Sequence, residues 1–113
     1  MKKKLIVLGS TGSIGKATLE VVEHRRDSYE VFGLACKGNV ELLSRQIEKF
    51  KPRYVCIFNE PAGKRLRLGK RTLLTGIEGI IEMIDAGGDI VVNALPGSIG
   101  LKPTIKTLNT NKI

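Results

Sequence analysis

"LIVLGSTGSIGKATLEVV", residues 5–22, joins two different hydrophobic patterns through a run of small residues. Leu5–Leu8 is an unbroken apolar stretch, the mark of a strand covered on both faces. From Ile14 the period changes. Ile14, Ala17, Thr18, Val21 and Val22 recur at helical spacing, which predicts a helix with those residues as its buried stripe. Between the two patterns stand Gly9, Gly12 and Gly15. A tight turn alone needs one glycine. Three at this spacing, between a strand and a helix, suit a phosphate-bearing dinucleotide. The first lets the chain turn sharply, the second lets a pyrophosphate approach the backbone, and the third lets the helix pack on the sheet. The free N–H groups and positive dipole end of the helix then favour an anion. Thr11 and Ser13 add hydroxyl groups. The loop is not a P-loop, because Gly15-Lys16 is followed by Ala17 and no GK[ST] triplet is present.

Working outward, strand and helix patterns alternate. Tyr29–Ala35 reads as a strand, and "CKGN" as a turn. Asn39 is a suitable N-cap for a helix whose stripe is Leu42, Leu43, Gln46, Ile47 and Phe50. Tyr54–Phe58 is a third strand. Asn59–Lys70 is irregular, with at most a turn around Ala62–Leu66. Thr72–Leu74 is a minor strand. Thr75 and Glu78 form a capping-box pattern ahead of a helix with stripe Ile77, Ile80, Ile81 and Ile84. Asp89–Ala94 is a further strand, and Leu101, Ile105 and Leu108 suggest a last helix. This order predicts an α/β fold: a Rossmann-like, doubly wound parallel sheet in three layers, with right-handed crossovers. The main strands are expected in the order third, second, first, fourth, with a fifth missing or only started.

The chain has 113 residues, the size of one domain. No apolar run approaches the roughly 20 residues of a membrane span. The apolar stretch behind Met1-Lys2-Lys3-Lys4 is too short for a secretory signal, so a cytoplasmic protein is expected. Cys36 and Cys56 fall in strand-like apolar positions and are expected to be reduced. The net charge of +8 favours anionic partners. Five of the positive charges, Lys64, Arg65, Arg67, Lys70 and Arg71, lie in one acid-free loop. That loop lacks interleaved aromatics or a recognition helix, which argues against nucleic acid. His24 stands alone near a helix end, and no cluster of His, Asp or Glu has metal-ligand spacing.

Which dinucleotide follows from the second strand. NAD-binding turns carry an acid there for the ribose 2′-hydroxyl. Here the turn is Cys36-Lys37-Gly38-Asn39, with a cation and an amide instead. These suit a 2′-phosphate, so NADPH is expected, with Lys37 and Asn39 at that phosphate. "VVNALPGSIGL", residues 91–101, repeats the strand–turn–helix design. Its turn is expected across the switch point from the first, with Ala94, Leu95 and Pro96 on the nicotinamide side.

Together "LGSTGSIG", "ACKGNV", "KPRYV" and "NALPGSIGLKPT" resemble the N-terminal domain of the 1-deoxy-D-xylulose 5-phosphate reductoisomerases. Enzymes of that family convert 1-deoxy-D-xylulose 5-phosphate to 2-C-methyl-D-erythritol 4-phosphate in non-mevalonate isoprenoid biosynthesis, with NADPH and a divalent metal, Mg or Mn. The resemblance implies cofactor contacts at Thr11, Gly12, Ser13 and Ile14, at Lys37, Gly38 and Asn39, and at Ala94 and Leu95. The family's second turn reads Gly-Lys-Asn; here Gly and Lys are exchanged. The resemblance further implies a homodimer, and an NADP-binding domain over residues 1–113 with catalytic and metal-binding residues elsewhere. Two other readings stay open. One is a different NADP-dependent oxidoreductase, although no Tyr-x-x-x-Lys is present. The other is a nucleotide-sensing module without catalysis.

Overall fold

The computed structural model describes residues 2–58 and 72–95. Five strands form one parallel sheet: β1 (Lys3–Leu8), β2 (Tyr29–Cys36), β3 (Tyr54–Ile57), β4 (Thr72–Thr75) and β5 (Ile90–Asn93). Their order is β4-β3-β2-β1-β5. The expected order of the four main strands is therefore present. The sequence reading undervalued Thr72–Thr75, which is a full member of the sheet and pairs with β3 from Tyr54↔Thr72 to Ile57↔Thr75.

Alternation along β1 divides the core. Leu5 and Val7 join the cluster beneath α1 (Ser13–His24) and α2 (Val40–Phe50). Ile6 and Leu8 join the opposite cluster, beneath α3 (Gly76–Ala86). All four are at most 5% exposed, as a strand covered on both faces requires. The three-layer, doubly wound arrangement follows from this division.

The helix stripes need two corrections. In α1 the buried residues are Gly15, Leu19 and Val22, while Ile14 and Val21 are 65% and 57% exposed. The helical period is present and Val22 is buried as expected, but the buried face is turned away from Ile14 and Val21. Gly15 must face the glycine loop, and that contact fixes the rotation of the whole helix. In α3, Thr75 is the N-cap, but its side chain makes no capping hydrogen bond. Gly76 enters the helix at φ +67°, a left-handed step that breaks the backbone geometry a capping box needs. The buried face there is Gly79, Ile80, Met83 and Ile84. The stripe of α2 is as expected: Leu43, Gln46 and Ile47 are buried, and Asn39 Oδ1 accepts from the Leu42 N–H at 3.2 Å.

Cys36 and Cys56 are free and buried, on opposite faces of the sheet. The turn at Ala62–Leu66, the basic loop at 64–71, and the final helix with Leu101, Ile105 and Leu108 lie outside the described residues.

Candidate dinucleotide site

The sheet brings the two glycine-bearing turns together. β1 and β5 are neighbours, with Leu8 opposite Asn93. The Ala94 N–H donates to the Leu8 carbonyl at 2.9 Å, which carries both chains out of the sheet side by side. Gly9 turns at φ +84°, and a Cβ there would stand 2.9 Å from the Ala94 carbonyl oxygen. Gly9 and Ala94 thus form the close contact between the turns. Leu95 packs on the α3 side of the core, and its N–H donates to Asn93 Oδ1 at 3.2 Å. Pro96 lies outside the described residues.

The three glycines have different duties. A Cβ on Gly15 would lie 2.6 Å from Ser10 Cα, so Gly15 is required by the close seating of α1. Gly9 is required by its left-handed φ. Gly12 is required by neither. It is exposed, sits at φ −83°, and among the described residues its Cβ would meet only the Gly9 carbonyl, at 3.5 Å. Gly12 is also the N-cap of α1, and no side chain caps that end. Ser13 and Ile14 are exposed beside it. The result is an open helix N-terminus above a glycine with no packing role, a cradle that suits phosphate oxygens.

The turn after β2 adjoins this cradle. Gly9 and Ser10 both donate their N–H groups to the Ala35 carbonyl, at 2.8 and 2.9 Å. An open cleft of 650 Å³ is lined by Thr11, Lys37, Gly38, Asn39 and Phe58. It therefore joins the glycine loop to the second turn, with a cation and no acid among the described residues of its wall. Of the expected residues, the structure brings Thr11, Lys37, Gly38 and Asn39 into one cleft and Gly9 against Ala94.

Beneath the cleft lies Cys36. The Thr11 side chain and the backbone at Gly38 and Asn39 hydrogen-bond to its thiol, but burial dominates and pushes the thiol up to about 11. Cys36 is thus an inert floor rather than a nucleophile. Among the described residues no three His, Cys, Asp or Glu side chains gather to hold a metal, and no helix is long and apolar enough to cross a membrane.

Two features escaped the sequence reading. Phe58 as a cleft wall had no signal, because it reads as the end of a strand. Ser10 and Gln46 are the buried polar residues of the described core, and the Gln46 Nε2 group donates to the Ser10 carbonyl at 2.8 Å. Here a signal existed: Gln46 was the polar member of an apolar stripe.

Comparison with known proteins gives a consistent result. The family model of 1-deoxy-D-xylulose 5-phosphate reductoisomerase matches residues 5–113. Proteins of that name from Halothermothrix orenii and from a Thermoanaerobacter strain are 46% and 43% identical over 97% of this chain. The chain spans 30% of the length of these relatives. Among solved structures, the Zymomonas mobilis reductoisomerase in complex with NADPH aligns over 98% of this chain and 30% of its own, with TM-score 0.90 and 27% identity. A reductoisomerase in complex with magnesium aligns with TM-score 0.89 and 28% identity over 99% of this chain and 30% of its own.

Proposed function

The chain belongs to the 1-deoxy-D-xylulose 5-phosphate reductoisomerase family, and from that premise we propose that residues 1–113 form its NADP-binding domain. NADPH is the ligand, and when bound it supplies the hydride for reduction. The observation that carries this reading is the open, uncapped α1 N-terminus at Gly12, joined by a cleft to a turn bearing Lys37 and Asn39. The N–H groups from Gly12 to Gly15 would take the pyrophosphate. Thr11 and Ser13 would add hydroxyl hydrogen bonds. Lys37, with the Asn39 side chain, would take the 2′-phosphate, supported by their place together in the wall of that cleft. Ala94 and Leu95 would border the nicotinamide, which fits the contact between Ala94 and Gly9.

The whole protein's reaction is proposed on family grounds: rearrangement and reduction of 1-deoxy-D-xylulose 5-phosphate to 2-C-methyl-D-erythritol 4-phosphate, by a cytoplasmic homodimer using Mg or Mn. These residues would hold and orient the hydride donor. The metal and rearrangement chemistry would fall to other residues.

Titration of the 113-residue chain with NADPH, followed by nucleotide fluorescence, tests this. Saturable binding, weaker for NADH, is expected, without turnover of the sugar phosphate. Absence of NADPH binding would overturn the site. Reduction of the substrate by this chain alone would overturn the division of labour.

A further inference from the structure

We propose that Gln46 is a positioning residue of the cofactor site, fixing the glycine loop against the helix that carries the 2′-phosphate turn. This inference rests on the NADPH reading above. Gln46 is 6% exposed and Ser10 is fully buried. The Gln46 carboxamide donates to the Ser10 carbonyl at 2.8 Å across 36 residues of sequence. Ser10 lies between Gly9 and Thr11, so this carbonyl belongs to the loop itself. Its N–H is already committed to Ala35. Ser10 is thereby held to β2 through its N–H and to α2 through its carbonyl.

Stability alone does not explain this residue. Among the described residues, Gln46 Oε1 and Ser10 Oγ are buried without a hydrogen-bond partner. Each such orphan is unfavourable; an apolar side chain in the same stripe would remove the Gln46 Oε1 orphan but take the Gln46 donor from the Ser10 carbonyl, so the amide brings the core little net stability. A costly buried amide that makes its one bond to the phosphate loop is better explained by the loop's geometry than by the core's. Asn39 caps the same helix two turns earlier, about 10 Å along its axis. α2 is therefore a strut: Gln46 holds the pyrophosphate loop, and Asn39 stands at the adenosine phosphate. Loss of the Gln46 bond frees the pyrophosphate loop at its own end of the strut and leaves Asn39 in place.

The test compares Gln46→Leu with the wild-type full chain by NADPH and NADH titration, thermal unfolding, and amide exchange at residues 12–15. The expected result is about a tenfold rise in Kd, equal for both nucleotides, because the pyrophosphate is common to them. Amide exchange at 12–15 rises in the ligand-free variant, while the unfolding midpoint stays within a few degrees. Gln46→Met, which keeps the length and removes the donor, repeats the test if the Leu variant fails to fold. Unchanged Kd and exchange in a folded variant would overturn the proposal. So would a lowered midpoint with unchanged Kd, the result for a merely structural residue. A loss confined to NADPH would move Gln46's action to the 2′-phosphate and also overturn it. If the wild-type chain binds neither nucleotide, the cofactor reading fails, and this inference falls with it.

Discussion

The Gly9 carbonyl oxygen lies 2.1 Å from where a Gly15 Cβ would stand, and 3.5 Å from where a Gly12 Cβ would stand. The first distance is impossible for a real side chain; the second is ordinary contact. Gly15→Ala must therefore push α1 off its loop, at a cost of about 3 kcal/mol or more. Gly12→Ala fits the fold and costs about 1 kcal/mol, since Ala is a poorer N-cap than Gly. It should still weaken NADPH binding strongly, because the new methyl group faces the phosphate cradle. Urea unfolding and nucleotide titration on the two variants separate these effects.

Lys37→Glu should reverse the nucleotide preference. Lys37 is exposed at a cleft whose described lining residues include no acid, so the change alters charge and not packing. NADPH affinity is expected to fall about tenfold or more through loss of a charge-assisted contact and gain of repulsion. NADH affinity should change little. An unaltered NADPH/NADH ratio would remove Lys37 from the site.

Asn39→Asp offers a complementary check. Asp caps a helix as well as Asn does, so the bond from the Leu42 N–H survives and stability stays within about 0.5 kcal/mol. The new carboxylate supplies the acid that NAD-binding turns use. The expected outcome is a shift of selectivity toward NADH with an unchanged unfolding curve. By contrast, Asn39→Ala should lose about 1 kcal/mol of stability along with selectivity.

The two thiols give the protein an alkaline limit. Burial raises Cys36 to about 11 and Cys56 to about 12, from an ordinary 9.0. The folded state therefore resists ionisation that the unfolded state undergoes near pH 9. This contribution to stability is complete below pH 9 and is lost as pH rises through 11 and 12. Unfolding midpoints should fall across that window, and less so in Cys36→Ala/Cys56→Ala than in the wild type. At pH 8 both thiols should react with a maleimide only after denaturant is added.

What the sequence disclosed depended on whether a signal was local. Gly9, Gly12 and Gly15 were legible because a strand, a turn and a helix follow one another without interruption. Asn39 was legible for the same reason. The rotation of α1 was not, because it is set by a contact between Gly15 and the backbone of Gly9 and Ser10. Thr72–Thr75 looked minor because four residues carry little periodicity, and only β3 gives them a partner. The Thr75–Glu78 pattern misled because Gly76 adopts a left-handed φ that no pattern of side chains records. Gln46 was visible as an oddity, but its partner Ser10 is distant in sequence and could not be named.

The place of β1 in the sheet also bears on how the chain acquires its structure. β1 is an inner strand of the sheet, and its two neighbours arrive at very different times. β2 follows within a few dozen residues. β5 closes the other side much later: Lys4 and Asp89, 85 residues apart, are joined by two hydrogen bonds of 2.8 and 2.7 Å. During synthesis, from the N-terminus onward, β1 is thus an open edge until Ile90–Asn93 emerges. Its apolar Leu5–Leu8 segment is for that interval open to wrong pairing on one side, and Lys2, Lys3 and Lys4 stand beside it as charged guards. Closure waits on this long-range pairing, which makes the arrival of β5 the natural slow step in folding.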